Sequence, residues 1–210
     1  TGISSLINNT CDIAEVSREM KDSEIKLSVG KGIKPYKIVV ALDGLAVVVN
    51  PSNPVSQLTM DQLGEMFAGR ITNWSQVSGP NKKIVLLSRE VNSGTHVYFK
   101  EHVLRKGDPQ GKEEFAPHAL LMPSSQAIAD EVSHNLDAIG YYGMGYITAK
   151  EKPVKVAKAK GSPYVSPSPE NVVDNSYPIS RPLLMYTKSE PAGTVKTFVD
   201  FVLSPEGQQQ

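Results

Sequence analysis

The sequence is short of three things: cysteine, long apolar runs and net charge. Its single cysteine, Cys11, excludes an internal disulfide framework and a cluster of cysteine metal ligands. It has no apolar stretch of about 18 residues or more, which argues against a membrane-spanning helix. Lys plus Arg number 22 and Asp plus Glu number 22, so the chain lacks the long-range field that general nucleic-acid binding requires. We expect any charged ligand to be held locally.

The length and the ends of the chain bear on its domain organisation. A chain of 210 residues has room for one large domain or for two lobes of about 100 residues each. It starts at Thr1 without a methionine or a targeting segment, so we expect a fragment, and export cannot be judged from a signal peptide.

Residues 36–50, YKIVVALDGLAVVVN, contain two aliphatic runs joined by Asp43-Gly44. Continuous apolar runs of this kind are typical of strands buried on both faces. Two alternatives remain open for the junction. Asp-Gly can form a tight hairpin, or one nearly continuous segment passes from one lobe to another with a bend at Gly44.

The rest of the chain alternates between strand and helix patterns, which predicts an α/β protein. Thr59 and Gln62 form a capping-box pattern at the start of the first clear helix. The lysines between residues 150 and 160 are predicted to protect a solvated strand edge, and Trp74 is predicted to be a packing anchor. The predicted helices cover residues 58–70, 95–104, 124–136 and 194–203, and the predicted strands cover 83–88 and 138–142.

The loop from Arg89 to Thr95 is the most informative stretch. It places a guanidinium, the hydroxyls of Ser93 and Thr95, and Gly94 at the start of a helix. Free backbone N–H groups and the helix dipole favour an oxyanion at such a position. The alternative is that Ser93 only caps the helix and Arg89 pairs with Glu90 at the surface.

Several segments, in order along nearly the whole chain, carry a resemblance to a known family. They include TGISSLINNTCDIAEVSREMK, DGLAVVVNPSNPV, LTMDQLGEMFAGRITNW, SREVNSGT, AIGYYGMGYI, YPISRPLLMYTK and FVDFVLSPEGQ. Together they closely resemble the phosphate-binding proteins that feed the bacterial phosphate ABC transporter. Agreement of several segments in order is more specific than any single motif.

The resemblance implies a two-lobed periplasmic-binding-protein fold of type II, the Venus-flytrap type. Each lobe would be a mixed sheet flanked by helices, with residues 45–146 in one lobe and residues 1–44 with 147–210 in the other. The implied function is to bind inorganic phosphate between the lobes and deliver it to a membrane permease. The implied protein is a monomer in the periplasm or a lipoprotein at the cell surface, without enzyme activity, cofactor, metal or nucleic-acid partner.

The resemblance also implies site residues. Arg89 matches the family's phosphate-facing arginine, and Ser93, Gly94 and Thr95 match its anion loop. Ser17 stands where longer members place an aspartate that accepts a hydrogen bond from protonated phosphate. Two further anion-contacting loops of the family would lie before residue 1.

Because Ser17 is not a carboxylate, Asp43 is our candidate for the proton-sensing acceptor. It lies at the expected crossover between the lobes, beside a glycine. The alternative is an aspartate that hydrogen-bonds its own backbone in a hinge or a turn.

Two other functions remain as alternatives. The first is a binder of another tetrahedral oxyanion. The second is a serine hydrolase that uses Ser93 as nucleophile and His96 or another histidine as base, although the sequence has no G-x-S-x-G elbow. The four histidines have no metal-ligand spacing, and each is predicted to be a surface or helix residue.

Overall fold

A computed structural model describes residues 2–108 and 110–209 of the chain. They form two compact units. The first unit comprises the chain up to Leu42 and from Arg181 onward, and the second comprises Asp43–Ser180. Two strands carry the chain from one unit into the other.

The described residues contain seven α-helices and nine β-strands. The helices are α1 (Gly2–Ile7), α2 (Asp22–Gly30), α3 (Met60–Phe67), α4 (Gly94–Phe99), α5 (Ser125–His134), α6 (Pro169–Val173) and α7 (Gly193–Leu203). The strands are β1 (Ile13–Val16), β2 (Tyr36–Val49), β3 (Gln57–Thr59), β4 (Val85–Arg89), β5 (Leu120–Met122), β6 (Ala138–Gly143), β7 (Lys152–Pro153), β8 (Lys155–Ala157) and β9 (Ser180–Thr187). Within the described ranges, no helix has the length and apolar character needed to cross a bilayer.

Strand β2 answers the question raised by Asp43-Gly44. It runs without interruption from Tyr36 to Val49, so the pair lies inside a strand and forms no hairpin. Gly44 is close to other side chains: a Cβ there would overlap the Met144 side chain and lie 2.8 Å from Cγ2 of Val172. The glycine is therefore explained by packing against these two residues.

The second unit is built on a mixed sheet with the strand order β2–β6–β4–β5. Strands β4, β5 and β6 are parallel to one another, and β2 runs antiparallel to β6. Parallel strands joined through helices give the α/β pattern that the sequence predicts.

The aliphatic run of β2 fills both faces of this sheet. Leu45, Val47 and Val49 pack into a large core that includes α3. Ala46 and Val48 point to the opposite face and pack against α5. The period of two places alternate residues on opposite faces, and since both faces are covered, the run is apolar throughout.

Local signals in the sequence explain where the second unit's helices begin. Thr59 Oγ1 accepts a hydrogen bond from Gln62 N, and Gln62 Oε1 accepts one from Thr59 N, which completes the predicted capping box of α3.

Trp74 is fully buried, as predicted for a packing anchor, and its indole N–H donates to Asp137 O at 3.0 Å.

The structural units differ from the lobes predicted from the sequence. Residues 147–180 group with the second unit, where β8 pairs in parallel with β3. Val154, Val156 and Ala157 are fully buried there. The chain returns to the first unit within β9, between Ser180 and Arg181. The many prolines and lysines of this segment conceal the short buried stretch between them.

The first unit is smaller and has the strand order β1–β9–β2. β1 pairs antiparallel with β9. Leu184 and Tyr186 of β9 pack with α1 in one core cluster. Met185, which points to the other face, packs with Ile38 and with Val199 of α7.

Candidate functional site

The predicted anion loop lies at the carboxyl end of parallel strands in the second unit. β4 ends at Arg89, which is paired with Met122 at the end of β5. The chain then turns through Glu90–Asn92 and begins α4 at Gly94, with Ser93 as its N-cap. Ligands of open α/β sheets bind at such strand ends, where helix N-termini meet.

The guanidinium of Arg89 is held by neutral groups around the start of α5. Nη1 donates to Ser125 Oγ at 3.2 Å, and Nη2 donates to Pro123 O at 3.4 Å. Ser125 is itself buried, with 8% of its surface exposed. Neither partner is an anion, so these contacts leave the charge of the guanidinium uncompensated.

The Nε of Arg89 is buried and has no hydrogen-bond partner within the described part of the chain. A buried N–H donor without an acceptor costs free energy, and more so when it is part of a charged group. The N–H at Nε of Arg89, beside the strand–helix loop, is therefore a buried donor that lacks an acceptor.

Ser93 and Thr95 form the start of α4 beside this arginine. Ser93 Oγ accepts a hydrogen bond from Thr95 N at 3.2 Å, which is the capping role that the sequence left as one alternative. A π-helical turn over Lys100–Leu104 continues the helix after Phe99, so the amides of Gly94 and Thr95 stand at the positive end of a longer helical segment.

A buried polar network lies directly below the loop. His96 Nδ1 is 2.9 Å from Arg89 O and 3.1 Å from Ser88 Oγ, and Ser88 Oγ is 2.7 Å from the hydroxyl of Tyr141. His96 is a helix residue, which is one of the two predicted settings, and it is 4% exposed. The imidazole of His96 also packs on Phe115, with ring centroids 4.5 Å apart.

This network bears on the hydrolase alternative. Since Nδ1 of His96 is engaged with Arg89 and Ser88, it does not act on Ser93, whose oxygen accepts from the helix backbone. The arrangement gives no support to a Ser93–His96 nucleophile pair.

The two other predicted site residues, Ser17 and Asp43, belong to different units of the structure. Ser17 follows β1 in the first unit and is half-buried. Its neighbour Arg18 makes a bidentate ion pair with Glu24 at 2.9 Å, and this bond lowers the pKa of Glu24 to about 2. Asp43 is the first residue of the second unit, whereas the sequence placed it in the other lobe. Its Oδ1 lies close to Gly143, at the end of β6.

The sequence did not single out three residues that support the loop: Ser88, Ser125 and Tyr141. Ser88 directly precedes Arg89 in β4, whereas Ser125 is brought to Arg89 and Tyr141 to Ser88 by the packing of distant segments. For the polar network, the only indication in the sequence was the position of His96 directly after Ser-Gly-Thr. Among the residues described, no group of three or more His, Cys, Asp or Glu side chains is arranged to hold a metal ion.

Comparison with known proteins gives consistent results. The model of the PBP superfamily domain matches residues 1–206. The chain is 34% identical to the phosphate-binding protein PstS of Pseudomonas aeruginosa and 32% identical to that of Staphylococcus epidermidis. These matches cover 97% and 99% of this chain and 67% and 64% of those proteins, so the chain spans about two thirds of their length.

A solved structure confirms the predicted fold. The crystal structure of an ABC-type phosphate transport receptor from Vibrio cholerae superimposes with a TM-score of 0.84 at 32% identity, covering 99% of this chain and 80% of the receptor. The α/β periplasmic-binding-protein fold is thereby established for the described residues. The chain belongs to the PBP superfamily domain family and, within it, to the family of the phosphate-binding proteins PstS.

Proposed function

We propose that this protein binds inorganic phosphate and delivers it to the permease of an ABC transporter. The observation that carries the proposal is the buried Nε of Arg89, which finds no acceptor in the described residues and lies beside a helix start. The names of the relatives, phosphate-binding protein PstS and phosphate transport receptor, support phosphate as the anion.

Arg89 supplies the one strong charge of the proposed site. Its Nε–H would donate a charge-assisted hydrogen bond to a phosphate oxygen, and the hydroxyls of Ser93 and Thr95, on either side of Gly94, would donate to further oxygens. A chain without net charge can hold an anion in this way, since oriented dipoles and one guanidinium act at short range.

Selectivity is the reason to include Asp43 in the proposed site. Phosphate near neutral pH still has a proton to donate, whereas sulfate has none, so a fixed carboxylate favours phosphate over sulfate. Asp43 is the proposed acceptor for that proton, and Ser17 is a proposed neutral donor from the first unit. Phosphate would be bound between the two lobes, as the family resemblance implies.

The proposed setting follows the family. The protein would act outside the cytoplasm, in the periplasm or as a lipoprotein at the cell surface, as a monomer that presents bound phosphate to a membrane permease. It would catalyse no reaction, because its task is to exchange the water shell of phosphate for fixed donors and later release the ion.

Calorimetry on the natural full-length protein tests this proposal. We expect phosphate to bind and sulfate to bind at least about tenfold more weakly, because an unprotonated dianion cannot donate to the carboxylate. No binding of either ion, or equal binding of both, would overturn it. Hydrolysis of a simple ester that disappears in Ser93→Ala would instead favour the enzyme alternative.

A further inference from the structure

The polar network under the anion loop lies in the buried core of the second unit. Ser88 and Tyr141 are fully buried and His96 nearly so, in a region lined by Phe67, Phe99 and other aromatic rings. Polar groups in such a place cost free energy unless they are paired, and an apolar core would avoid that cost. The hydrogen bonds among these three side chains lead to one main-chain atom, the carbonyl oxygen of Arg89.

The hydrogen-bond chemistry of this contact has one solution. A carbonyl oxygen can only accept, so Nδ1 of His96 carries the proton and donates it to Arg89 O at 2.9 Å. Ser88 Oγ lies 3.1 Å from the same nitrogen and 2.7 Å from the Tyr141 hydroxyl. The hydrogen bond to Tyr141 holds the Ser88 hydroxyl in position next to His96. The Arg89 carbonyl is thus connected through the histidine and the serine to the central strand β6.

The contact between His96 and Arg89 links the end of β4 to the first turn of α4. Arg89 is the last residue of β4, and His96 is the third residue of α4. A bond between them joins the two ends of the turn that holds Ser93 and Gly94. It sets how far the guanidinium stands from the helix start, and sub-ångström errors in such spacing are costly for a binding site.

We propose that His96, supported by Ser88 and Tyr141, is a positioning residue that holds Arg89 and the start of α4 at the spacing which phosphate requires. This inference rests on the proposed function of the loop. His96 does not contact the ion in this scheme and acts only through Arg89.

Two substitutions of His96 separate positioning from packing. His96→Asn places its amide nitrogen where Nδ1 stands, so the bond to Arg89 O is kept while the ring contact with Phe115 is lost. His96→Phe keeps the ring and loses the donor. We expect phosphate affinity within about twofold of wild type for His96→Asn and a loss of about fivefold or more for His96→Phe, since one buried hydrogen bond is at stake.

A double-mutant cycle gives the second readout. If His96 acts through Arg89, the effect of His96→Phe on affinity disappears in an Arg89→Ala background, because no guanidinium remains to be positioned. A role in general stability would weaken binding by the same factor in both backgrounds. Tyr141→Phe, which removes only a hydroxyl, is a milder variant and should weaken binding by about twofold to threefold if the network acts as proposed.

His102→Phe is the matched control. His102 follows on the same helical segment, its Nε2 lies 2.7 Å from Pro178 O, and its ring stacks on Tyr98. The same chemical change there should alter stability and leave phosphate affinity unchanged.

The outcomes separate the two proposals. Absence of phosphate binding by the wild type overturns the proposed function, and this inference with it. Normal binding by the wild type, loss in Arg89→Ala and wild-type affinity in both His96→Phe and Tyr141→Phe overturn this inference alone.

Discussion

His96 donates its Nδ1 proton to the main-chain oxygen of Arg89, and this bond joins the end of a central strand to the first turn of the next helix. On the other side of the same residue, the guanidinium is held by Ser125 and Pro123 O and keeps a buried Nε–H unpaired within the described chain. The backbone of Arg89 is therefore fixed, and its side chain retains a donor for a ligand.

Replacing Arg89 tests the main electrostatic contribution to phosphate binding. Arg89→Ala should weaken phosphate binding at least about tenfold in calorimetry, since hydrogen bonds to charged groups contribute about 1.5–3 kcal/mol. Arg70→Ala is the matched control, because Arg70 is an exposed arginine of the same unit that pairs with Glu65 and Glu113. Equal affinity of Arg89→Ala and wild type would remove Arg89 from the site.

The pKa of His96 predicts how stability depends on pH. Burial lowers it below its ordinary 6.5, and the charge of Lys100 acts in the same direction, against the hydrogen bond to Arg89 O and the charge of Glu114. Between the lowered pKa and 6.5 the unfolded chain binds more protons than the folded one. The contribution of His96 to stability is thus complete above pH 6.5 and declines as the pH falls through 6.5 toward the lowered value.

Urea unfolding of wild type and His96→Asn, from about pH 7.5 to about pH 5.5, measures this effect. The other titrating groups cancel in the difference between the two proteins. We expect the stability of the wild type to fall more steeply below pH 6.5 than that of the variant. A difference that stays constant with pH would contradict the buried, neutral state of this histidine.

Substitution of Gly44 tests whether packing explains the glycine at this position of β2. Gly44→Ala should lower the free energy of unfolding by about 1–3 kcal/mol, because the added Cβ must displace Met144 and Val172. Gly145→Ala is the control, since a Cβ there meets no atom within 4 Å among the described residues. A Gly44→Ala protein as stable as the control would show that the close contacts relax at no cost.

Much of the fold was predictable because local signals and burial agree. The capping box at Thr59, the buried second run of β2 at residues 45–49 and the strand–loop–helix of residues 83–104 formed as the patterns indicated. The first run of β2, residues 36–42, is largely exposed, contrary to the burial that its apolar residues predict. The chemistry around Arg89 was predictable in its residue types, since Ser-Gly-Thr after a strand has a local physical reason.

Other features depend on contacts that no local pattern contains. Ser125 and Tyr141 reach Arg89 and Ser88 from segments 36 and 53 residues away. The boundary between the units depends on the pairing of β8 with β3, which short strands among prolines do not announce. Burial of His96 likewise depends on Phe115, whose ring packs on the imidazole from a later segment of the chain.

Asp43 is the proposed source of selectivity, and its charge can be removed with little change of shape. Asp43→Asn should bring the affinities of phosphate and sulfate closer together, because an amide no longer repels the unprotonated ion. Ser17→Ala is a useful contrast and should weaken both ions by a similar factor of about two to five, as the loss of one neutral donor does. An unchanged phosphate-to-sulfate ratio in Asp43→Asn would remove Asp43 from the proposed acceptor role.

The most direct test is a crystal structure of the natural full-length protein with phosphate. We predict a phosphate oxygen about 2.7–2.9 Å from Nε of Arg89, the range of charge-assisted N–H···O bonds, with further oxygens at the hydroxyls of Ser93 and Thr95. Phosphate bound elsewhere, or bound with the Arg89 Nε–H still unpaired, would contradict the proposed site.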